Sequence, residues 1–284
     1  MLLELAVGDA YGAGFEYVSA ERVLRDNDLS CYVEHPRPLL APGSYTDDTQ
    51  MSLAVAEAML SGEPWTPQLL ARYFVATFRR DPRKGYSRRF QALLEQVETG
   101  EEFLERINPN SDRSGAAMRA PPLGLLPSSG QVIERCTIQA ELTHRTVDGV
   151  NSAVAAALMT HFLVHDIGPK EELGAFLESQ VPGQWAKPWV GEVGQKGWMS
   201  VRAAVTAVLA HDTLADILRA CVAYGGDVDT VAAIALAAAA CSGYVEQNIP
   251  AHLVEALENG VFGRDYIVAL DARLMALAAD SRSR

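Results

Sequence analysis

The chain of 284 residues carries 24 Lys+Arg against 36 Asp+Glu, a formal charge of −12 at pH 7, which argues against a general binder of duplex nucleic acid, because such proteins need a basic face. Hydrophobic residues at 49% and charged residues at 21% exclude wholesale disorder and leave enough apolar side chains for a sizeable core. Cys31, Cys136, Cys221 and Cys241 form no CxxC pair, which excludes a zinc ribbon or disulfide-dense secreted scaffold and predicts a reduced, cytoplasmic protein.

In chain order, Met1-Leu2-Leu3-Glu4-Leu5 has no basic lead and is interrupted by Glu4 and Asp9, unlike a signal peptide. The first predicted helix, Met51–Leu60, ends before Gly62, and Thr66-Pro67 restarts the next; glycine past a helix end and proline in a first turn are helix punctuation. Apolar spacing then predicts helices over 67–80, 86–99, 131–143, 148–165, 170–179, 200–210, 213–223, 229–243, 250–259 and 265–279. No strand pattern competes. Loops rich in Pro, Gly, Asn or Ser fall at Asp26–Ser44, Asn108–Ala120 and Val181–Lys196, and none reads as a linker between domains. The longest apolar run, Val231–Cys241, falls well short of the roughly 20 residues of a membrane span and reads as a buried helix. The Ala-dense segments Ser152–Met159, Arg202–Ala210 and Val231–Ala240 allow close helix approach. The expectation is one all-α domain over 1–284, a monomer with no membrane partner, whose tail 279–284 frays.

Two clusters of polar residues stand before helices. Tyr45-Thr46-Asp47-Asp48-Thr49-Gln50 precedes Met51–Leu60, and Tyr224-Gly225-Gly226-Asp227-Val228-Asp229-Thr230 precedes the run from Val231. Either reads as an N-cap, in which a hydroxyl or carboxylate accepts from orphan N–H groups and complements the helix dipole. Capping needs one such side chain, however, and adjacent carboxylates repel unless a cation relieves them. Together the clusters supply Thr46, Asp47, Asp48, Asp227, Asp229 and Thr230, an all-oxygen set suited to Mg²⁺, Mn²⁺ or Ca²⁺ rather than Zn²⁺. If they meet in space, two divalent ions would neutralise them and activate water.

Five motifs in order carry a resemblance: Gly8-Asp9-Ala10-Tyr11-Gly12-Ala13-Gly14-Phe15-Glu16-Tyr17, Thr46-Asp47-Asp48-Thr49, Gly115 through Gly124, Thr143-His144, and Gly225 through Thr230. The set, spanning about 8–243, resembles the ADP-ribosylglycohydrolase family. That resemblance implies a compact orthogonal all-α fold and a dinuclear Mg²⁺ or Mn²⁺ centre that hydrolyses an N- or O-glycosidic bond at C1″ of ADP-ribose. It implies Thr46, Asp47 and Asp48 on one ion, Asp227 and Thr230 on the other, Asp229 bridging, and Glu16 as a mobile glutamate beside them. Ser111 and Gly115 fall where the family's loop contacts the diphosphate, and His144 where a histidine approaches the ribose. Read without the resemblance, Glu16 is a solvated loop carboxylate and His144 a satisfied structural histidine.

Two departures bear on specificity. Arg113-Ser114-Gly115 stands where relatives have Gly-Asn-Gly, and no acidic residue lies near Lys84-Gly85-Tyr86-Ser87, where arginine-specific bacterial relatives carry one. Asp81 is the nearest candidate; its alternative reading is a residue that caps or ends a helix. Six basic residues in Arg79–Arg89 form a cluster that reads as a solvated face or as a dock for an acidic target or the substrate's phosphates. The implied activity is removal of ADP-ribose from a protein side chain, arginine favoured over serine. The alternatives are hydrolysis of a small ADP-ribosyl compound such as O-acetyl-ADP-ribose, or a non-catalytic binding or structural protein.

Overall fold

Among the described residues, seven helices begin on a Ser or Thr whose hydroxyl accepts a backbone N–H of the first turn: Ser19, Thr46, Thr66, Thr99, Ser128, Thr146 and Thr213. The computed structural model describes residues 1–37 and 40–282. Its helices are α1 (Leu2–Ala13), α2 (Ala20–Asp26), α3 (Asp47–Leu60), α4 (Pro67–Arg80), α5 (Arg88–Gln96), α6 (Gly100–Arg106), α7 (Gly115–Met118), α8 (Ser129–Glu141), α9 (Val147–Val164), α10 (Leu173–Gln180), α11 (Gly197–Ala210), α12 (Leu214–Ala223), α13 (Val228–Ala239), α14 (Ala251–Ala256) and α15 (Arg264–Arg282), with 3₁₀ turns at Pro121–Leu125 and Lys170–Glu172. The protein is all-α. Among the described residues no strand ladder forms; isolated bridges such as Asn110 to His144 and Val193 to Gly226 tie loops together.

The structure adds helices to the sequence reading and shifts several starts. α1, α2, α6 and the short α7, which falls inside the loop predicted over Asn108–Ala120, are not in the sequence reading, and the stretch predicted over 86–99 is the shorter α5, which gives way to α6. α3 begins at Asp47 rather than Met51, so the acidic pair sits inside its first turn, with Thr46 as the N-cap. The expected fraying of 279–284 falls partly outside the described residues: α15 continues to Arg282, and 283–284 lie beyond them.

α13 is the centre of the molecule. All twelve of its residues are buried, and it packs against α1, α9, α11 and α12. Small side chains make this possible: α13 is mainly alanine, and α1 meets it through Gly8 and Gly12, where an added Cβ would lie 2.8 Å from Ala232 O and 2.5 Å from Asp229 Cα. A single run of touching buried apolar residues extends from Met1 to Ala278. α9 is long and apolar enough by composition to cross a membrane, but 78% of it is buried within the protein, and it is a core helix. No disulfide forms among the described residues, and Cys136 and Cys221 are buried in the core.

Candidate active site

Three helices converge on one acidic cluster. The first turns of α3 and α13 contribute Asp47 and Asp48, and Asp229, respectively, with Asp227 as the N-cap residue of α13. Their positive helix ends face the carboxylates, a favourable arrangement. From α1, Asp9 reaches the start of α3: it accepts Thr46 N–H at 2.9 Å, Thr49 N–H at 2.9 Å and the Thr46 hydroxyl at 2.7 Å, as well as the Thr49 hydroxyl. Asp9 is thus a cap supplied from another helix, and it fixes where Asp47 and Asp48 project. The close approach at Gly12 sets the height of Asp229 in the same way.

Carboxylate oxygens of Asp9, Asp48 and Asp229 lie within 4.8 Å of one another, as do those of Glu16, Asp227 and Asp229. Asp229 belongs to both groups, the position a bridging ligand needs. Asp47 faces Gly85, whose φ of +121° is unavailable to most residues and where a Cβ would collide with Asp47 Oδ1. Glu16 follows α1 on a turn whose next residue, Tyr17, holds a left-handed φ of 53° and donates its N–H to Gly226 O at 3.0 Å. The Glu16 carboxylate pairs with Arg37 and stands 3.3 Å from His35 Nε2.

Burial and mutual repulsion raise the proton affinity of most of these acids. Desolvation pushes Asp48 well above the usual carboxylate range, with Asp229, Asp9 and Asp47 adding to it. Asp47 and Asp229 are likewise raised, by burial first and then by Asp9 and Glu16 respectively. Asp227 rises to about 7 through burial and Glu16, against hydrogen bonds from Ser114 and Ser200 and the charge of Arg113. Glu16 goes the other way: burial pushes it up, but His35 and Arg37 outweigh that and hold it low.

These residues form one end of a cavity of about 950 Å³, at the upper end of the range for small-molecule sites. The loop 108–115 lines the same cavity and reaches Asp227 through Ser114. That loop is strapped to the turn after α8, to the 181–196 loop and to the start of α11 by Ser111 N–H to Thr143 O at 3.4 Å, Ser114 N–H to Gln195 O at 3.1 Å and Gly197 N–H to Asp112 O at 3.1 Å, respectively. Gly115 leaves room for the His144 ring, since a Cβ there would sit 3.1 Å from Cε1 and 3.3 Å from Nε2. His144 is buried, and burial followed by the charge of Arg119 lowers its pKa to about 3.

Of the residues singled out from sequence, Glu16, Asp47, Asp48, Ser111, Gly115, His144, Asp227, Asp229 and Thr230 all line this cavity. Thr46 stands behind it, 2% exposed, with its hydroxyl donating to Asp9 and accepting Asp48 N–H at 3.3 Å. Asp81 is not in the lining. It ends α4 and is held by Arg83 at 2.7 Å, which leaves the region opposite Asp47 to Gly85 rather than to an acid. From the basic cluster, Arg88 and Arg89 reach the cavity wall, whereas Arg79, Arg80 and Arg83 are engaged by Glu98, Glu57 and Glu258. Asp9 is the site residue that sequence reasoning did not assign a role; an acid flanked by Gly8 and Gly12 in an apolar segment was the available signal.

The donor set fits hard divalent cations. Every candidate ligand atom is an oxygen, and Asp48 Oδ1 is buried with no hydrogen-bond partner in the protein, a costly state for a polar atom unless something binds it.

The fold and the cluster together define a class, and comparison with known proteins gives the family. A solved structure described as an ADP-ribosylglycohydrolase-related protein complex superposes with a TM-score of 0.73 over 98% of this chain and 96% of that one, at 23% identity, which bears on the fold. The family model of ADP-ribosylglycohydrolase matches residues 1–284, and the chain belongs to that family. It is 27% identical to an uncharacterised protein of Archaeoglobus fulgidus over 97% of this chain and 95% of the relative. The ADP-ribosylarginine hydrolase Tri1 of Serratia proteamaculans is 25% identical over 82% of this chain and 67% of its own length. Human ADP-ribosylhydrolase ARH3 is 26% identical over 63% of this chain, and the match spans 59% of ARH3.

Proposed function

We propose that the protein hydrolyses the bond between C1″ of ADP-ribose and a modified protein side chain, with two Mg²⁺ or Mn²⁺ ions held in the acidic cluster. One observation carries this reading: Asp48 of α3 and Asp229 of α13 stand within 4.8 Å at the end of a large cavity, with Asp48 Oδ1 buried and unsatisfied. Thr46, Asp47 and Asp48 would hold one ion and Asp227 and Thr230 the other, with Asp229 shared. When bound, such ions supply Lewis acidity and an activated water.

The chain's own groups do the rest. Ser111 and Gly115 would border the space for the diphosphate, and the neutral His144 would offer a hydrogen bond to the ribose without adding charge. Glu16, low in pKa and anchored by Arg37 and His35, remains ionised beside Asp227 and Asp229 and stabilises positive charge developing at C1″. An acidic protein can bind this anionic ligand because bound cations and the N-termini of α3 and α13 reverse the local sign.

Arginine is favoured over serine as acceptor, a preference supported by the ADP-ribosylarginine hydrolase Tri1 relatives, which match 82% of this chain. We place the protein as a single-domain cytoplasmic monomer, the single domain supported by one continuous core. The test is release of free ADP-ribose, quantified by mass spectrometry, from arginine- and serine-ADP-ribosylated peptides with Mg²⁺, Mn²⁺ or chelator. Metal-dependent release, faster from arginine, is expected; no release from either peptide overturns the reading in favour of a small ADP-ribosyl substrate or a non-catalytic binder.

A further inference from the structure

We propose that Arg119, acting through the Thr143 hydroxyl, is a positioning residue that locks His144 in one tautomer, with Nδ1 as acceptor and Nε2–H as a donor aimed into the cavity. Arg119 is 1% exposed and lies at the cavity floor. Among the described residues no carboxylate lies within ion-pair distance of it. Its guanidinium rests 4.6 Å from the centre of the Phe74 ring and is satisfied by neutral acceptors: Nε donates to Gln139 Oε1 at 2.7 Å, and Nη2 to Gln139 O at 3.2 Å and Thr143 Oγ1 at 2.7 Å. Gln139 is itself oriented, because its Nε2 donates to Ala116 O at 3.0 Å.

The direction of each bond follows from the donor inventory. A guanidinium only donates, so Thr143 Oγ1 accepts from Arg119 and keeps its single proton to give away. The hydroxyl is 3% exposed by residue, and its other neighbour is His144 Nδ1 at 2.6 Å. Donation to Nδ1 satisfies both the hydroxyl and the ring nitrogen, whereas a protonated Nδ1 would leave the Thr143 proton buried without an acceptor. Nδ1 therefore carries the lone pair and Nε2 the hydrogen. Nε2 is the atom that lies 3.3 Å from the Cβ position Gly115 leaves empty, and the burial that keeps the ring neutral keeps this assignment through the physiological range.

The consequence is a division of roles. His144 cannot ligate a metal or accept a proton through Nε2; it donates to an oxygen of the bound ligand, a phosphate or ribose oxygen on the reading above. The tautomer itself does not depend on that reading, so the two fail separately.

Long-range ¹H–¹⁵N correlation spectra of the imidazoles, with His144 assigned by His144→Gln, read the tautomer directly. The wild type is expected to show a protonated Nε2 and an unprotonated Nδ1. Thr143→Val removes the hydroxyl at nearly constant shape and should give a mixed or inverted pattern and weaken ADP-ribose binding about tenfold, the loss of roughly one hydrogen bond. Thr143→Ser, which keeps the hydroxyl, should restore both. A protonated Nδ1 in the wild type, or an unchanged ring pattern in Thr143→Val, overturns the proposal. The expected pattern in a protein that binds no ADP-ribose would support the relay and contradict the functional reading instead.

Discussion

Asp9 shows how one buried carboxylate links fold and site. Its oxygens accept four hydrogen bonds from Thr46 and Thr49, which places the first turn of α3 where Asp48 meets Asp229. Asp9→Asn replaces one acceptor oxygen by a donor in a fully buried network; about 1–3 kcal/mol of stability should be lost, seen as a lower urea midpoint, together with weaker metal binding. Asp227 gives a pH prediction. Its folded pKa of about 7 lies above the ordinary 3.8, so the metal-free fold binds this proton more tightly than the unfolded chain does. That stabilisation is complete below 3.8 and is lost as pH rises through about 7. Asp227→Asn, which carries no charge, should therefore raise the melting temperature of metal-free protein above about pH 8 and confer no such gain near pH 4; a pH-independent difference would contradict it. At this scale the sequence was informative where carboxylates are doubled at a helix start, as in Asp47-Asp48 and Asp227-Asp229. It was not informative for Asp9, whose partners lie 37 and 40 positions away.

At the scale of the element, the pairing of α1 with α13 decides the geometry. Gly12→Ala places a methyl against the Asp229 backbone, and overpacking of this kind costs about 1–3 kcal/mol. Because the displaced residue is also the carboxylate proposed to be shared, the denaturant midpoint and Mn²⁺ affinity should fall together, whereas Gly130→Ala in α8, with nothing within 4 Å, should lower neither. α1 escaped sequence reading for the reason that makes it important: ten of its twelve residues are buried, and a helix buried all round has no polar face to reveal its period. α4, half-exposed with an apolar stripe, was placed to the residue. The start of α3 was read four residues late, because Asp-Asp-Thr-Gln resembles a loop until Thr46 and Asp9 are seen to cap it.

For the whole molecule, six carboxylates gathered around one cavity are the feature that the proposed cations would balance. Burying like charges costs several kcal/mol per ion unless they are compensated. Saturating Mg²⁺ or Mn²⁺ at a hundredfold over Kd should add about 2.7 kcal/mol and raise the melting temperature by several degrees, and chelator should reverse it. The all-α architecture was legible from periodicity and from Gly, Pro and Thr punctuation; the convergence of α1, α3 and α13 was not, because residue spacing carries no information about which helix ends meet. The most direct test of that convergence is calorimetric titration of chelator-treated protein with Mn²⁺, beside Asp229→Asn. Two ions per chain, with the binding of both impaired when the shared carboxylate is neutralised, is the predicted result; no binding, or binding that Asp229→Asn leaves unchanged, would contradict the account.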